Sequence, residues 1–183
     1  MANLEQTNSE FDTVVKMCRS LFEKKLHDYG AAWRILRPSS VTDQLLIKAN
    51  RIRSIEEKGE AMIDEGISSE FIGLLNYSII ALVQLKLGYS DKIDYPVAKA
   101  LEDYDGVAKD ALELMKKKNH DYDEAWRSMK VSSYTDLILM KIYRTKQIEN
   151  LHGKTLASEG IDANYMDIIN YSAFALIKLV VEK

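Results

Sequence analysis

The residues of this chain that could bind a small ligand are polar or aromatic, and they occur twice at a spacing of 93 positions. The two copies are His27, Asp28, Tyr29 and Trp33, and His120, Asp121, Tyr122 and Trp126. Histidine can contact a phosphate or a ribose hydroxyl, and an aromatic ring can stack on a base. Alternatively, the histidine complements the carboxyl end of a helix and the aromatic residues anchor the following loop. The sequence leaves both interpretations open.

A pair of basic residues three positions apart is also repeated. The pairs are Lys48 with Arg51 and Lys141 with Arg144. On a helix this spacing places both side chains on one face, where they could hold a phosphate, with arginine supplying a bidentate contact. The alternatives are a solvated face or ion pairs with Asp28 or Asp43.

Two carboxylates occupy positions that the helical period assigns to the protein interior. Glu56 shares a stripe with Leu45, Ala49 and Ile52, and Glu149 is its repeat counterpart. Burying a carboxylate is costly unless it is paired or binds a cation. The pattern therefore predicts either a buried salt bridge to a repeated arginine or a metal ligand.

A third repeated element brings an acid and an amide to one helical face. Asp167, Asn170 and Tyr171 are spaced at i, i+3 and i+4, and with Glu149 they could form an oxygen-rich cluster of the kind that binds Mg²⁺ or Mn²⁺. We therefore predict Glu56, Glu149 and Asp167 as metal ligands. The first copy has Gly73 at the place of Asp167, so its metal site is expected to be impaired or to borrow ligands from the second copy.

The elements that carry these residues form two copies of one helical unit. Apolar periodicity predicts helices at 10–28, 42–64 and 68–87 in the first copy and at 105–121, 133–157 and 162–181 in the second. We predict an all-α protein with repeats at 1–88 and 105–183, joined by a linker at 89–104 that contains a short helix. The apolar third helices are expected to pack against each other, like a dimer fused into one chain with approximate two-fold symmetry.

Composition narrows the range of partners and locations. The net charge is −3, which argues against a broad nucleic-acid-binding surface, and the single cysteine excludes an intrachain disulfide. The first ten residues are polar, and no apolar run approaches the roughly 20 residues of a membrane span. We expect a cytoplasmic protein with no membrane partner, present as a monomeric pseudo-dimer or a homodimer.

The repeated motifs resemble the nucleotide-modification-associated helical domain family over nearly the whole chain. The residues that carry the resemblance are Lys25, Asp28, Tyr29, Asp43, Lys48, Arg51, Asn76 and Tyr77, and then Lys118, Asp121, Tyr122, Asp136, Lys141, Arg144, Asp167, Asn170 and Tyr171. The resemblance implies an association with nucleotide metabolism.

A more remote resemblance links the chain to the all-α nucleoside triphosphate pyrophosphohydrolases. Those enzymes bind Mg²⁺ through an ExxE motif on one helix and an ExxD motif on the next, and the ions activate water against a phosphoanhydride. This chain departs from both motifs, because Arg53 stands three positions before Glu56 and Asn170 stands three positions after Asp167. The resemblance implies Mg²⁺-dependent chemistry only where the acids remain.

Two functional hypotheses follow. The first is a nucleotide-binding protein of nucleotide metabolism or modification, with a divalent-metal-dependent phosphohydrolase as the candidate enzyme and a pocket completed across the interface between the units. The second is a non-catalytic ligand-binding or scaffold module in which the repeated charges form a buried network, for example Asp28 with Arg51 and Glu56 with Arg53.

Overall fold

The computed structural model describes residues 4–59, 66–157 and 160–182, and the described residues contain helices and no strands. Six α-helices follow one another along the chain. They are α1 (Leu4–Tyr29), α2 (Pro38–Lys58), α3 (Ile67–Leu87), α4 (Val97–Tyr122), α5 (Val131–Asn150) and α6 (Ile161–Leu176). A short 3-10 turn precedes α2 (Ala32–Ile35) and another precedes α5 (Ala125–Ser128), and a π-helical segment (Ile177–Val181) follows α6. The all-α prediction is confirmed.

The first helix of each unit is longer than the sequence pattern indicated. α1 and α4 both contain 26 residues, and their first residues, Leu4 and Val97, are 93 positions apart. The short helix predicted within the linker at 89–104 is therefore the beginning of α4, and the beginning of α1 is its counterpart in the first unit. The apolar pattern failed at 4–10 because this part of α1 packs through polar side chains, among them the buried Thr7 and Glu10.

The second helices also differ from the predicted bounds. α2 begins at Pro38, because a proline fits the first helical position, where no backbone donor is needed. It ends at Lys58, the following Gly59 adopts the left-handed conformation at φ 73°, and the predicted continuation over residues 60–64 lies outside the described residues. α5 ends at Asn150 rather than at residue 157.

The two units pack through their apolar helices with approximate two-fold symmetry. The most extensive helix contact is between α3 and α6, and further contacts join α2 to α5 and α1 to α4. This arrangement agrees with the prediction that the third helices pack together. α3 is long and apolar enough to span a membrane by length and composition, and most of that stretch is buried inside the protein.

Polar contacts between α2 and α5 repeat in both directions across the pseudo-two-fold axis. The Thr42 hydroxyl lies 2.8 Å from the Glu149 carboxylate, and the repeat-related Thr135 is hydrogen-bonded to Glu56. Ion pairs flank them, between Asp43 and Lys146 at 2.5 Å and between Asp136 and Arg53 at 3.3 Å. We call these four contacts the reciprocal network. It accounts for the retention of the threonine, aspartate and glutamate in both copies.

Candidate functional site: two related cavities

The two units contain repeat-related cavities, each bounded by the end of the first helix, the 3-10 turn and the third helix of its unit. The first cavity has a volume of about 510 Å³ and the second about 320 Å³. All eleven residues that line the second cavity have their repeat partners in the lining of the first. The shared set includes Lys25, Tyr29, Trp33, Asn76 and Tyr77 in the first cavity and Lys118, Tyr122, Trp126, Asn170 and Tyr171 in the second.

Neither cavity extends across the interface between the units. The first is lined only by residues 21–80 and the second only by residues 115–174. The expectation of one pocket completed across the pseudo-dimer interface therefore does not hold for these two cavities. The prediction that Asp167, Asn170 and Tyr171 share a face is consistent with the structure, because all three line the second cavity.

A sharp turn after the first helix places the tryptophan of each unit in its cavity. In the first unit Gly30 adopts φ 71°, and in the second Asp123 and Glu124 adopt φ 49° and 56°. Such values are uncommon outside glycine. The chain reverses there and enters the 3-10 turn that carries Trp33 or Trp126.

The arginine that follows each tryptophan fixes this turn, a role that the sequence analysis missed. Arg34 is buried and donates to the Gln84 side chain and, at 2.6 Å, to the Gly88 carbonyl oxygen. The Gln84 amide in turn donates to the carbonyl oxygens of Trp33, Arg34 and Leu36. The retention of a Trp-Arg pair in both copies was the available signal.

Arg127 performs the same task in the second unit through charges. Its guanidinium lies 3.0 Å from Glu10 and 2.8 Å from Glu182, and it covers the Trp126 ring at 4.4 Å. Glu10 belongs to the first unit, so α1 helps to position the turn of the second unit. Lys178 adds a hydrogen bond to the Arg127 carbonyl oxygen at 2.7 Å.

Lysine charges of the first cavity are only partly neutralised. Glu70 lies 2.8 Å from Arg51 and 3.8 Å from Lys48, so it engages mainly the arginine, which points away from the cavity lining. The Lys48 stem crosses Gly73, where an added Cβ would lie 2.9 Å from it, and its ammonium lies 5.4 Å from the centre of the Tyr77 ring. Among the described residues, no carboxylate pairs with Lys25.

In the second unit the acid has moved by one helical turn. Asn164 replaces Glu70 and Asp167 replaces Gly73. The Asp167 carboxylate lies 2.6 Å from Lys118 and 2.9 Å from Lys141. It therefore neutralises Lys118, whose repeat counterpart in the first cavity, Lys25, has no carboxylate partner among the described residues. Lys141 and the exposed Arg144 line an open groove on the other side of Asp167.

The repeated asparagines also differ in their surroundings. The Asn76 amide nitrogen donates to the Cys18 carbonyl oxygen at 3.1 Å, and its oxygen accepts from the Tyr104 hydroxyl at 2.7 Å. Asn170 is buried, with only 5% of its surface exposed, yet neither the nitrogen nor the oxygen of its amide has a hydrogen-bond partner among the described residues. The indole nitrogens of Trp33 and Trp126 are likewise buried without a partner in the described chain.

The hydroxyls of Tyr29 and Tyr171, which line the two cavities, remain protonated at neutral pH. Burial raises the pKa of Tyr29 above 10.0, and the charges of Tyr77 and Asp28 add to the shift. Burial likewise raises the pKa of Tyr171, with a smaller contribution from Asp167. These hydroxyls can donate hydrogen bonds to a ligand and are not nucleophilic phenolates.

The three predicted metal ligands do not come together. Glu149 accepts from Thr42 at 2.8 Å and lies 3.3 Å from the Tyr165 hydroxyl, whereas Asp167 is held between two ammonium groups. Glu56 belongs to the reciprocal network. Within the described ranges no group of three or more His, Cys, Asp or Glu side chains is placed to hold a metal ion. These residues do not fit a shared Mg²⁺ or Mn²⁺ centre.

The predicted histidine and aspartate ligands lie outside both cavities. His27 and Asp28 are exposed on α1, with the His27 ring 3.9 Å from Glu23. His120 and Asp121 are exposed and lie 3.2 Å apart. Of the repeated motif, only the tyrosine and the tryptophan reach the cavities.

The fold and the paired cavities define a duplicated, all-α architecture with repeat-related cavities in its two units. The chain belongs to the family described as nucleotide modification associated domain 1, whose model matches residues 25–85 and 118–179, one match in each unit. The two matched segments start at the cavity-lining lysines, Lys25 and Lys118, and include most or all of the third helix of each unit. No curated protein and no solved structure matches this chain.

Proposed function

We propose that the protein binds a phosphorylated nucleotide in the first cavity, as part of nucleotide metabolism or modification. The observation that carries this proposal is a cavity of about 510 Å³ whose lining combines two lysines and one acid, Glu70, with four aromatic rings. The volume lies within the range of about 300–1,000 Å³ that is usual for small-molecule sites. The family description supports the same class of ligand.

The two lysines of the first cavity would bind the phosphate group of the ligand. Lys25 has no carboxylate partner in the described chain, and Lys48 shares Glu70 with Arg51, which lies 1.0 Å closer (3.8 against 2.8 Å). Both ammonium groups are therefore available to an anion. A phosphate that accepts from two ammonium groups gains charge-assisted hydrogen bonds.

The aromatic rings of the first cavity would stack on the base of the nucleotide. Tyr29 is 56% exposed at the rim, and Trp33 lies half-buried behind it with an indole donor that has no partner among the described residues. Stacking on such rings is tolerant of base identity. The first unit, which the sequence analysis treated as the impaired copy, is thus the better anion site, because Gly73 leaves room for Lys48 where the second unit has a neutralising acid.

A purely structural role is the second candidate, and the reciprocal network favours it for one group of residues. That network accounts for Thr42, Asp43, Glu56 and Glu149 without any ligand. It does not involve Lys25, Tyr29 or Trp33. The structural role and the nucleotide-binding role therefore depend on different residues, so substitutions in one group distinguish the two roles.

The first test is a thermal-shift and calorimetric panel of nucleoside mono-, di- and triphosphates of the ribo and deoxy series. A nucleotide at a hundredfold its Kd should stabilise the protein by about 2.7 kcal/mol. Lys25→Met should weaken binding about tenfold, the effect of losing roughly 1.4 kcal/mol of a charge-assisted contact. Each nucleotide is measured with and without Mg²⁺ or Mn²⁺ and followed by a phosphate-release assay, which tests the predicted metal dependence and hydrolysis.

Lys24→Met is the matched control, because it removes the same charge from an exposed neighbour that does not line the cavity. Gly73→Asp gives the first unit the acid of the second and should also weaken binding. Loss of affinity in Lys24→Met equal to that in Lys25→Met would show a non-specific charge effect and contradict the assignment. No shift with any nucleotide would leave the structural role as the better account.

A further inference from the structure

We infer that the second cavity is a separate site for an uncharged nucleobase or nucleoside, whose base edge is bound by the amide of Asn170. This inference goes beyond the proposed function, because it concerns a different cavity, a different residue and a ligand without phosphate. Four properties of the second cavity support it: an unpartnered amide, a neutralised lysine, a small volume and a stacked aromatic wall.

The amide is the strongest of these observations. Asn170 is 95% buried (5% exposed), and both polar atoms of its side chain lack a partner among the described residues. A buried polar group in this state carries a desolvation cost of about 1–3 kcal/mol, and such groups are rare in native proteins. The repeat explains why the amide oxygen has no partner. Tyr104 donates to Asn76, whereas the position related to Tyr104 by the repeat is Phe11, which has no hydroxyl.

The charges select against a phosphate. The charged residues that line the second cavity are Lys118 and Asp167, and their side chains lie 2.6 Å apart. A phosphate near Lys118 would have to displace Asp167 or lie beside its carboxylate, and like charges in a partly buried site repel strongly. The cavity therefore favours a ligand without charge.

The size and the shape of the second cavity favour a flat ligand. The volume of about 320 Å³ is near the lower end of the range for small-molecule sites. The wall contains Trp126, whose ring stacks on Phe174 with centroids 4.4 Å apart and planes inclined by 7°. The Trp126 indole nitrogen is a second buried donor without a partner in the described chain.

A primary amide carries one acceptor and two donors, a pattern that pairs with the neighbouring donor and acceptor on the edge of a nucleobase. Asparagine makes bidentate contacts of this type with adenine. A base that entered the second cavity edge-first would satisfy both atoms of the Asn170 amide. Burial of its ring against the edges of the aromatic wall would add apolar contact.

The test uses the whole protein and NMR signals that are specific to each cavity. The natural nucleobases and nucleosides are titrated singly into ¹⁵N-labelled protein, and the side-chain amide of Asn170 and the indole N–H of Trp126 are followed. Asn170→Asp and Trp126→Phe assign these signals. At least one nucleobase or nucleoside should shift both of them, while the amide of Asn76 and the indole of Trp33 stay in place.

Asn170→Leu should weaken that binding about tenfold or more, the effect of losing one bidentate contact with a base. The same variant should melt at a higher temperature than the wild type, because it replaces an unpartnered amide by an apolar side chain of similar size. If Asn170→Leu does not fold, the titration of the wild type still decides the matter. No shift of the two signals with any probe, or unchanged affinity in Asn170→Leu, would overturn the inference.

The outcome is separable from that of the proposed function. A nucleoside phosphate bound in the first cavity shifts the Trp33 indole signal, and a nucleoside bound in the second shifts that of Trp126. A nucleoside that shifts only the Trp33 signal would overturn the second site and leave the first intact. A shift of only the Trp126 signal by every ligand would do the reverse.

Discussion

Two repeat positions, Glu70 or Asn164 and Gly73 or Asp167, separate the two cavities chemically. Each unit has two lysines, one arginine and one acid in this region, so the count of charges is the same. The acid lies beside Arg51 in the first unit and between Lys118 and Lys141 in the second. Because Coulomb interactions weaken with distance, the placement of the acid decides which lysine remains available.

Glu56 illustrates a carboxylate whose burial has a cost. Burial is the main cause that raises its pKa above the ordinary value of 4.5; Thr135 opposes the shift and Asp136 adds to it. The folded state therefore binds the Glu56 proton more tightly than the unfolded chain does. Its contribution to stability is fully present below pH 4.5 and is lost as the pH rises through the raised value.

Glu56→Gln should accordingly raise the melting temperature at neutral pH, because the amide keeps an acceptor for Thr135 and removes the buried charge. The advantage should shrink as the pH falls below 4.5, where the wild-type side chain is also neutral. Thermal unfolding across this pH range measures the effect. Glu57→Gln, at an exposed neighbour, should give no increase. A lower melting temperature for Glu56→Gln at neutral pH would contradict this account.

At the scale of elements, the two 3-10 turns are short segments that depend on contacts far away in the sequence. The first is held by Arg34 and Gln84, and the second by Arg127, Glu10 and Glu182. The same turn geometry is thus reached by neutral hydrogen-bond partners in one unit and by charged partners in the other. In each case the arginine positions the tryptophan of its cavity.

Arg34→Ala should lower the free energy of unfolding by about 2–3 kcal/mol, because it removes charged hydrogen bonds and leaves the buried Gln84 acceptor and the Gly88 carbonyl oxygen without their donor. The loosened turn should also red-shift the emission of Trp33, measured with Trp126 replaced by phenylalanine. Arg37→Ala is the control, since Arg37 is exposed and surface substitutions usually change stability by less than about 0.5 kcal/mol. Equal effects of the two substitutions would refute the role of Arg34.

At the scale of the whole molecule, the duplication forms one cooperative structure. The core includes residues of both units, with α3 against α6 at the centre. Thr42 also joins the units, because it contacts Glu149 and Tyr165 on the other side of the pseudo-two-fold axis. A unit on its own would expose this apolar face, so the halves are expected to unfold together.

Urea unfolding should therefore give coincident transitions by circular dichroism and by the fluorescence of either tryptophan in single-tryptophan variants. Thr42→Val should lower the midpoint seen by every probe, with a loss of about 1–3 kcal/mol, because it leaves Glu149 and Tyr165 without their shared partner. The exposed Thr13→Val is the control. Separate transitions for Trp33 and Trp126 would indicate independently folding units.

The sequence by itself determined the helices, the duplication and the family. Helical periodicity and a constant repeat offset are local properties, so they could be read for α2, α3 and α6 and for the shared Tyr, Trp and Asn positions. The pattern failed at the start of α1. There the packing uses polar side chains, such as Thr7, and carries no apolar stripe.

Only the tertiary structure decided what the repeated polar residues do. Glu149 faces Thr42, 107 residues away, and Asp167 faces Lys118, 49 residues away; both partnerships arise from how helices pack against one another. Spacing along one helix gives the face on which a side chain lies but not what stands opposite it. For that reason the predicted metal ligands have separate roles. Glu56 and Glu149 belong to the reciprocal network, and Asp167 forms ion pairs with Lys118 and Lys141. For the same reason the unpartnered amide of Asn170 could not be distinguished from the satisfied one of Asn76 by sequence alone.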